Sequence, residues 1–319
     1  MTRRALVTGA DGFVGPLLCD YLLQQGWEVR GCGLLAMPGA DNQFVCDITD
    51  SVQLERLLDW CGPVTHVFHL AAITFVPESA QDPLRTFDVN VQGTIRLLHA
   101  ARRRYPTVRF IYVGSSEVYG LPQSLPQTET HPLAPVNPYA ISKAAADAYC
   151  AFLHRSEKAD IVRMRPFNHS GPGQSERFVL SDFAKQIALI EAGKAEPVIA
   201  VGNLSAARDF THVRDVVRAY ALAALKGHAG EAYNVCSSRA RTIQSALDGL
   251  LALSSASIRI QVEESRFRPV DAPTMCGSHA KLTEHTGWRP EIPFETLLEE
   301  LLTFWRRQAG VAKTRDEAP

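Results

Sequence analysis

Short uninterrupted apolar runs alternate with longer amphipathic stretches through the first half of the chain. "ALVT" (Ala5 to Thr8), "EVRG" from Glu28, "HVFHL" from His66 and "RFIYV" from Arg109 read as buried strands. Most are separated by segments of helical length and period, and that alternation predicts an α/β architecture, a parallel sheet with helices on both faces. "DPLRTFDVNVQGTIRLLHAARRR" reads as a helix with Asp82 as N-cap and Pro83 in its first turn. Arg102 to Arg104 then fall at its negative dipole end, as a solvated terminus and not a binding patch. After "IVRMRP" (Ile161 to Pro166) the pattern changes to loops, isolated helices such as "FVLSDFAKQIALIEAG", and short strands, which predicts a smaller second lobe.

Composition narrows the classes. The 319 residues are 46% hydrophobic and 21% charged, enough for two sub-domains around a large core. A net charge of -1 offers no electrostatic footprint for nucleic acid or an anionic membrane, so any phosphate must be bound locally. The seven cysteines are scattered singly and suggest neither a disulfide framework nor a zinc site. "MTRR" runs directly into an apolar strand, leaving no room for a signal h-region, and no apolar run approaches bilayer length. A soluble protein of the reducing cytoplasm is expected. His66, His69 and His99 lie in apolar runs and read as satisfied core or interface residues, while His169 and His212 lack the spacing of a ligand set. No metal is expected.

Gly9, Gly12 and Gly15 form G-x-x-G-x-x-G directly after the first strand and before a helix that Phe13 and Val14 open. In that context glycines let the backbone turn tightly and bring a pyrophosphate onto the positive helix end. Asp47 and Ile48 follow a third strand, where a carboxylate could hold an adenine amino group. Leu70, Ala71 and Ala72 end the fourth strand with a group small enough to leave room for a ligand at the sheet edge. These features predict a Rossmann-type doubly wound parallel sheet with a smaller α/β substrate-binding lobe. Residues 1–165 would form the dinucleotide-binding domain, completed from within 205–236; 166–204 and 237–306 would form the lobe, and 307–319 a flexible tail. The second strand ends "EVRGCGLLAMPG", with no Asp or Glu for the adenosine ribose and no Arg for a ribose phosphate.

Tyr139 and Lys143, in "NPYAISK", are four apart and so share a helix face. A free phenol titrates near pH 10, and a fixed ammonium one turn away would favour its phenolate. Together "TGADGFVG", "HLAA", "VGSSEVYG" and "NPYAISK", in this order and spacing, resemble the extended short-chain dehydrogenase/reductase family, whose members transform nucleotide sugars. The resemblance implies that Tyr139 is the proton donor or acceptor. Lys143 would lower its pKa and hold the nicotinamide ribose, and Ser115 would hydrogen-bond the reacting oxygen. Independently, "RFIYVGSS" brings Ser115 to the C-terminal edge of a strand, where ligands of open α/β sheets bind.

In the second half, "RPFNHSGPGQ", "FVLSDFAKQIA", "VGNLSAARDFTHVRD" and "GSHAKLTEHTGWRPEI" resemble the GDP-4-keto-6-deoxymannose reductases and, less closely, the GDP-mannose 4,6-dehydratases. That resemblance implies a GDP-sugar substrate, with GDP-D-rhamnose as the reductase product. It places Thr74, Ser115, Ser116, Glu117, Asn168, Lys185, Arg208, Arg268 and Asp271 around it. A guanidinium fork suits phosphate oxygens at Arg208 and Arg268, although Arg208 with Asp209 could also be a local ion pair. Glu117 stands where the dehydratases carry a catalytic glutamate, which keeps dehydration open as the alternative to reduction; serine at Ser115 and the lobe motifs favour the reductase. Leu34 and Leu35 replace arginines of related dehydratases. NADPH or NADH is the implied cosubstrate, with a slight lean to NADPH. The resemblance also implies a homodimer through a helical bundle. A dinucleotide-sensing protein without chemistry is a remote alternative, since such proteins lose the tyrosine or the lysine.

Overall fold

The computed structural model describes residues 2–36, 42–267 and 272–311. In chain order the first half runs β1 (Arg4–Thr8), α1 (Val14–Gln24), β2 (Glu28–Gly33), β3 (Gln43–Val45), α2 (Ser51–Cys61), β4 (His66–His69), α3 (Val76–Gln81), α4 (Pro83–Phe87), α5 (Thr94–Arg104), β5 (Arg109–Val113), α6 (Pro138–Glu157) and β6 (Ile161–Pro166). The second half runs β7 (Asn168–Ser170), α7 (Val179–Glu191), β8 (Val198–Val201), β9 (Ala207–His212), α8 (Val213–Lys226), β10 (Ala232–Val235), β11 (Ala240–Thr242), α9 (Ile243–Ala252), β12 (Arg259–Val262), β13 (Thr274–Met275), α10 (Ala280–Thr286) and α11 (Phe294–Ala309).

Seven strands form one sheet in the order β10-β6-β5-β4-β1-β2-β3, every pairing parallel. Parallel strands covered on both faces read as continuous apolar runs because both sides of each are dry. Leu6, Val67, Phe110 and Ile161 pack on one face with residues of α2, α5 and α6. Val7, Phe68, Ile111 and Val162 pack on the other with α1 and α8. The chain runs one way from β1 to β3 and the other way from β4 outward. The strand order therefore reverses between β1 and β4, and a ligand crevice belongs outside their C-terminal ends.

The sheet is finished from a distance. β10 pairs with β6, and α8 packs beside α1. Leu282 and Trp288, expected in the lobe, are buried in the core of this sheet, and the Trp288 indole donates to the Asp215 carbonyl oxygen at 2.9 Å. The lobe has its own core, built from α7, α9, α11 and β8. In it β9 pairs with β7, β11 and β13, and β8 pairs with β12.

The helix expected from Asp82 onward has a break. Asp82 caps α4 by accepting from the Arg85 N–H at 3.0 Å, and Pro83 occupies the first turn. Residues Asp88–Gly93 then widen into a π-helical stretch before α5 begins. Such bulges are rare and often mark functional sites. All seven cysteines are free and six are buried, as small core side chains. Among the described residues, no helix is long and apolar enough to cross a membrane.

Candidate active site

A cleft of about 1410 Å³ starts at the crevice between β1 and β4 and extends to the lobe. Its floor is set by close backbone approach. Gly9 has φ +69°, and a Cβ there would lie 2.8 Å from the Ala71 nitrogen, so only glycine lets the two strand exits meet. Gly15 is as constrained, because a Cβ would fall 2.2 Å from the Gly9 carbonyl oxygen. α1 has no side-chain N-cap, and Gly12, Phe13 and Val14 line the cleft. The N–H groups of its first turn are therefore presented to whatever lies in the crevice. That cradle fits the pyrophosphate of a dinucleotide.

The other cofactor-side residues converge on the same space. Asp47, Ile48, Leu70, Ala71 and Ala72 all line it. Asp47 Oδ1 is oriented by its own turn, accepting from the Thr49 N–H and hydroxyl at 2.9 and 2.8 Å. The Ala71 N–H donates to the Thr8 hydroxyl at 3.3 Å, and that hydroxyl meets His69 Nδ1 at 2.7 Å. His69 Nε2 meets the Thr94 hydroxyl at 2.9 Å, and burial holds the ring neutral, with a pKa of about 3. His69 is thus a satisfied core residue, and the partly buried His66 and His99 are satisfied as well, meeting Thr65 Oγ1 and the Tyr149 hydroxyl. His169 differs in lining the cleft, where its ring lies parallel to Phe13 with centroids 6.3 Å apart. The described residues contain no group of three or more His, Cys, Asp or Glu side chains placed to hold a metal ion.

Asn137 caps α6 by accepting from the Ala140 N–H at 2.8 Å, and Pro138 sits in the first turn. This fixes Tyr139 and Lys143 on the buried face, opposite Ser115 at the end of β5. The Tyr139 phenol hydrogen-bonds with Ser115, and its pKa is pushed up to about 12, chiefly by burial; the Ser115 contact lowers it and the Glu117 charge raises it. The expected acidification by Lys143 is not what the structure shows. The Lys143 ammonium donates to the Val113 carbonyl oxygen at 2.9 Å, and burial lowers its own pKa to about 8. Desolvation of both groups outweighs their spacing, and the phenol is fully protonated at neutral pH. Glu117 accepts from Asn137 Nδ2 at 3.2 Å and lines the cleft beside Ser116 and Thr74.

Toward the lobe, Asn168 and Arg208 line the cleft. Arg208 does not pair with its neighbour. Its guanidinium donates to the Ala207 and Ala272 carbonyl oxygens, whereas the buried Asp209 carboxylate accepts from the Ser237 and Gly277 N–H groups. Successive strand residues face opposite ways, which separates the two charges. Lys185 is not among the lining residues; its ammonium meets Glu176 at 3.1 Å and lies over the Trp305 ring. Arg268 and Asp271 fall outside the described residues. Sequence reasoning missed Arg177 and Arg266, both of which line the cleft. It also missed Asn90, buried in the π-helical stretch. Asn90 Oδ1 accepts from the Ile73 N–H at 2.8 Å, and Asn90 Nδ2 donates to the Ile73 carbonyl and the Ser142 hydroxyl at 3.0 and 2.9 Å. It ties the loop after β4 to α6 between the two residues of the catalytic pair. An amide at a buried helical position was its only signal.

A family model described as GDP-mannose 4,6 dehydratase matches residues 6–301. The chain belongs to that family, within the extended short-chain dehydrogenase/reductases. This dehydratase-family chain is 37% identical to the GDP-6-deoxy-D-mannose reductase of Pseudomonas aeruginosa over 96% of its own length and 98% of the relative's. It is 30% identical to a GDP-mannose 4,6-dehydratase of Vibrio cholerae, covering 95% of this chain and 93% of that one. Among solved structures, RMD from Pseudomonas aeruginosa complexed with NADPH superposes with a TM-score of 0.85 at 34% identity, covering 96% and 100% of the two chains. The UDP-glucose 4-epimerase of Thermus thermophilus in complex with NAD gives a TM-score of 0.85 at 29% identity, covering 95% and 99%.

Proposed function

We propose that the protein reduces the C4 keto group of GDP-4-keto-6-deoxy-D-mannose to give GDP-D-rhamnose, using NADPH or NADH. The observation that carries the reading is Tyr139 beside Ser115 in the lining of one cleft of about 1410 Å³ that reaches from the glycine loop to the lobe. The bound cosubstrate supplies a hydride to C4. Tyr139 delivers its proton to the oxygen as negative charge develops there, and Ser115 donates a hydrogen bond to the same atom. A reductase needs its phenol protonated at the start, as an ordinary phenol already is at neutral pH, and burial keeps it so. Lys143, tied to Val113, would hold the cosubstrate ribose through its remaining protons. Asn168, Arg177, Arg208 and Arg266 provide the polar and cationic wall for a sugar diphosphate.

Dehydration of GDP-mannose is the second reading, favoured by Glu117, whose carboxylate Asn137 holds at the sugar end of the cleft. One assay separates the two. Incubation with GDP-4-keto-6-deoxymannose and NADPH or NADH consumes reduced cofactor, and GDP-mannose alone gives no keto sugar. Keto-sugar formation from GDP-mannose, lost in Glu117→Gln, establishes dehydration instead. The retained Tyr139 and Lys143 speak against a purely sensing role.

A cytoplasmic homodimer through α5 and α6 completes the proposal. Ile141 and Phe152 are 42% and 49% exposed on α6. They are eleven residues apart, on one stripe of the helix. Phe152→Glu converts the dimer to a monomer in light scattering; a wild-type monomer overturns this part.

A further inference from the structure

Gly33 ends β2 at the place where an acidic side chain commonly receives the adenosine ribose, and it has no side chain to offer. Another residue fills the gap. A Cβ built on Gly33 would lie 2.1 Å from Asp11 Oδ1 and 2.6 Å from Asp11 Oδ2. The carboxylate of Asp11, from the glycine loop after β1, therefore occupies the space that a side chain at position 33 would take. It is held there: Asp11 Oδ2 accepts from the Leu35 N–H at 2.9 Å, and Asp11, Gly33 and Leu34 all line the cleft.

We propose that Asp11 receives the adenosine ribose hydroxyls in place of the absent acid on β2 and makes this chain prefer NADH to NADPH, although its Pseudomonas aeruginosa neighbour was solved with NADPH. Hydroxyls donate well to a carboxylate, whereas a ribose 2′-phosphate carries close to two negative charges and would meet Asp11 at hydrogen-bond range. Residues 31–55 contain no lysine or arginine, and Arg30 on β2 lies over the Trp60 ring. Leu34 stands 59% exposed at this edge of the cleft. Of the cations that line the cleft, Lys143, Arg177, Arg208 and Arg266 are engaged with Val113, Glu78, Ala272 and Asp182. Arg85 belongs to α4, which packs against α3 and α6.

The inference rests on the nicotinamide-cofactor reading, and equilibrium binding tests the two separately. Dissociation constants for NADH and NADPH are measured by fluorescence titration without substrate, on the wild type, Asp11→Asn and Leu34→Arg. The wild type binds NADH about tenfold or more tightly than NADPH, a factor equal to about 1.4 kcal/mol. Asp11→Asn keeps an acceptor for the Leu35 N–H and removes the charge, so the preference collapses toward unity. Leu34→Arg leaves the Asp11 contact with Leu35 in place and strengthens NADPH binding selectively. A purely structural role for Asp11 would weaken both cofactors equally and leave their ratio unchanged, which overturns the proposal. NADPH bound as tightly as NADH by the wild type also overturns it. Binding of neither removes the cofactor reading and the proposal together.

Discussion

The Lys143 ammonium donates to the Val113 carbonyl oxygen at 2.9 Å, joining the second turn of α6 to the last residue of β5. The charge is held in a dry site at a cost. Its folded pKa of about 8 lies below the ordinary lysine value, so between about pH 8 and pH 10 the unfolded chain binds more protons than the folded one. Stability from this group therefore rises with pH across that window. Lys143→Met should be more stable than wild type in urea at pH 7, by on the order of 3 kcal/mol. The advantage should vanish near pH 10. A less stable variant at pH 7 would mean that the Val113 contact outweighs desolvation.

Tyr139→Phe removes the proton donor and little volume. Reductase kcat should fall by about 10² to 10⁴, the usual worth of a positioned general acid. Cofactor dissociation constants should stay within a few-fold of wild type, because only one hydroxyl is lost. Steady-state kinetics paired with cofactor titration measures both, and a kcat within a few-fold of wild type would remove Tyr139 from the reaction.

Glu117 raises the Tyr139 pKa through its charge. Neutralising it in Glu117→Gln should lower that pKa and carry the alkaline limb of kcat/KM that lies above the Lys143 titration near pH 8 to lower pH. A limb that stays in place, or moves up, contradicts the electrostatic link between the two side chains.

Arg165 donates twice to the buried Asp147 carboxylate, from Nε and a terminal nitrogen at 2.9 Å each. Arg163 pairs with the same carboxylate, and Arg165 also reaches the Tyr119 hydroxyl at 3.0 Å. The arginines hold the Asp147 pKa below its ordinary value against the effect of burial. Its stabilisation is present above about pH 4 and is lost as the solution is acidified through the lowered folded pKa. Breaking a buried pair leaves an uncompensated charge, so Asp147→Asn should cost about 3 kcal/mol or more at pH 7 by chemical denaturation. The deficit should shrink below pH 4. A deficit that is constant with pH would assign the loss to packing.

What the sequence disclosed and what it hid divide along contact range. The glycine loop, the small residues after β4 and the Tyr139–Lys143 face were legible because each is a local pattern whose geometry follows from one turn of backbone. Charge state was not: Lys143 four residues from Tyr139 suggested an acidified phenol, and burial of both reversed the sign. Lys185 was expected near the nucleotide; it does not line the cleft itself, and its ammonium meets Glu176, which does. Asp11 carried no signal of its own inside the glycine motif. Its place beneath Gly33 depends on how β1 and β2 lie side by side, which no linear spacing states. Asn90 was hidden because the π-helical stretch rotates it inward where an α-helical count leaves its role undefined.

The parallel partner of β6 is β10, contributed by residues 232–235 after the first part of the lobe has been threaded. During synthesis the nucleotide-binding half must wait for roughly seventy further residues before its outer seam can close, about several seconds at ordinary translation rates. Until then the free edge of β6 is an open template for another chain. A fragment ending at residue 166 should consequently emerge as an aggregating intermediate and not as a portable cofactor module, and engineering that exchanges halves of this enzyme must carry β10 along with the half it seals.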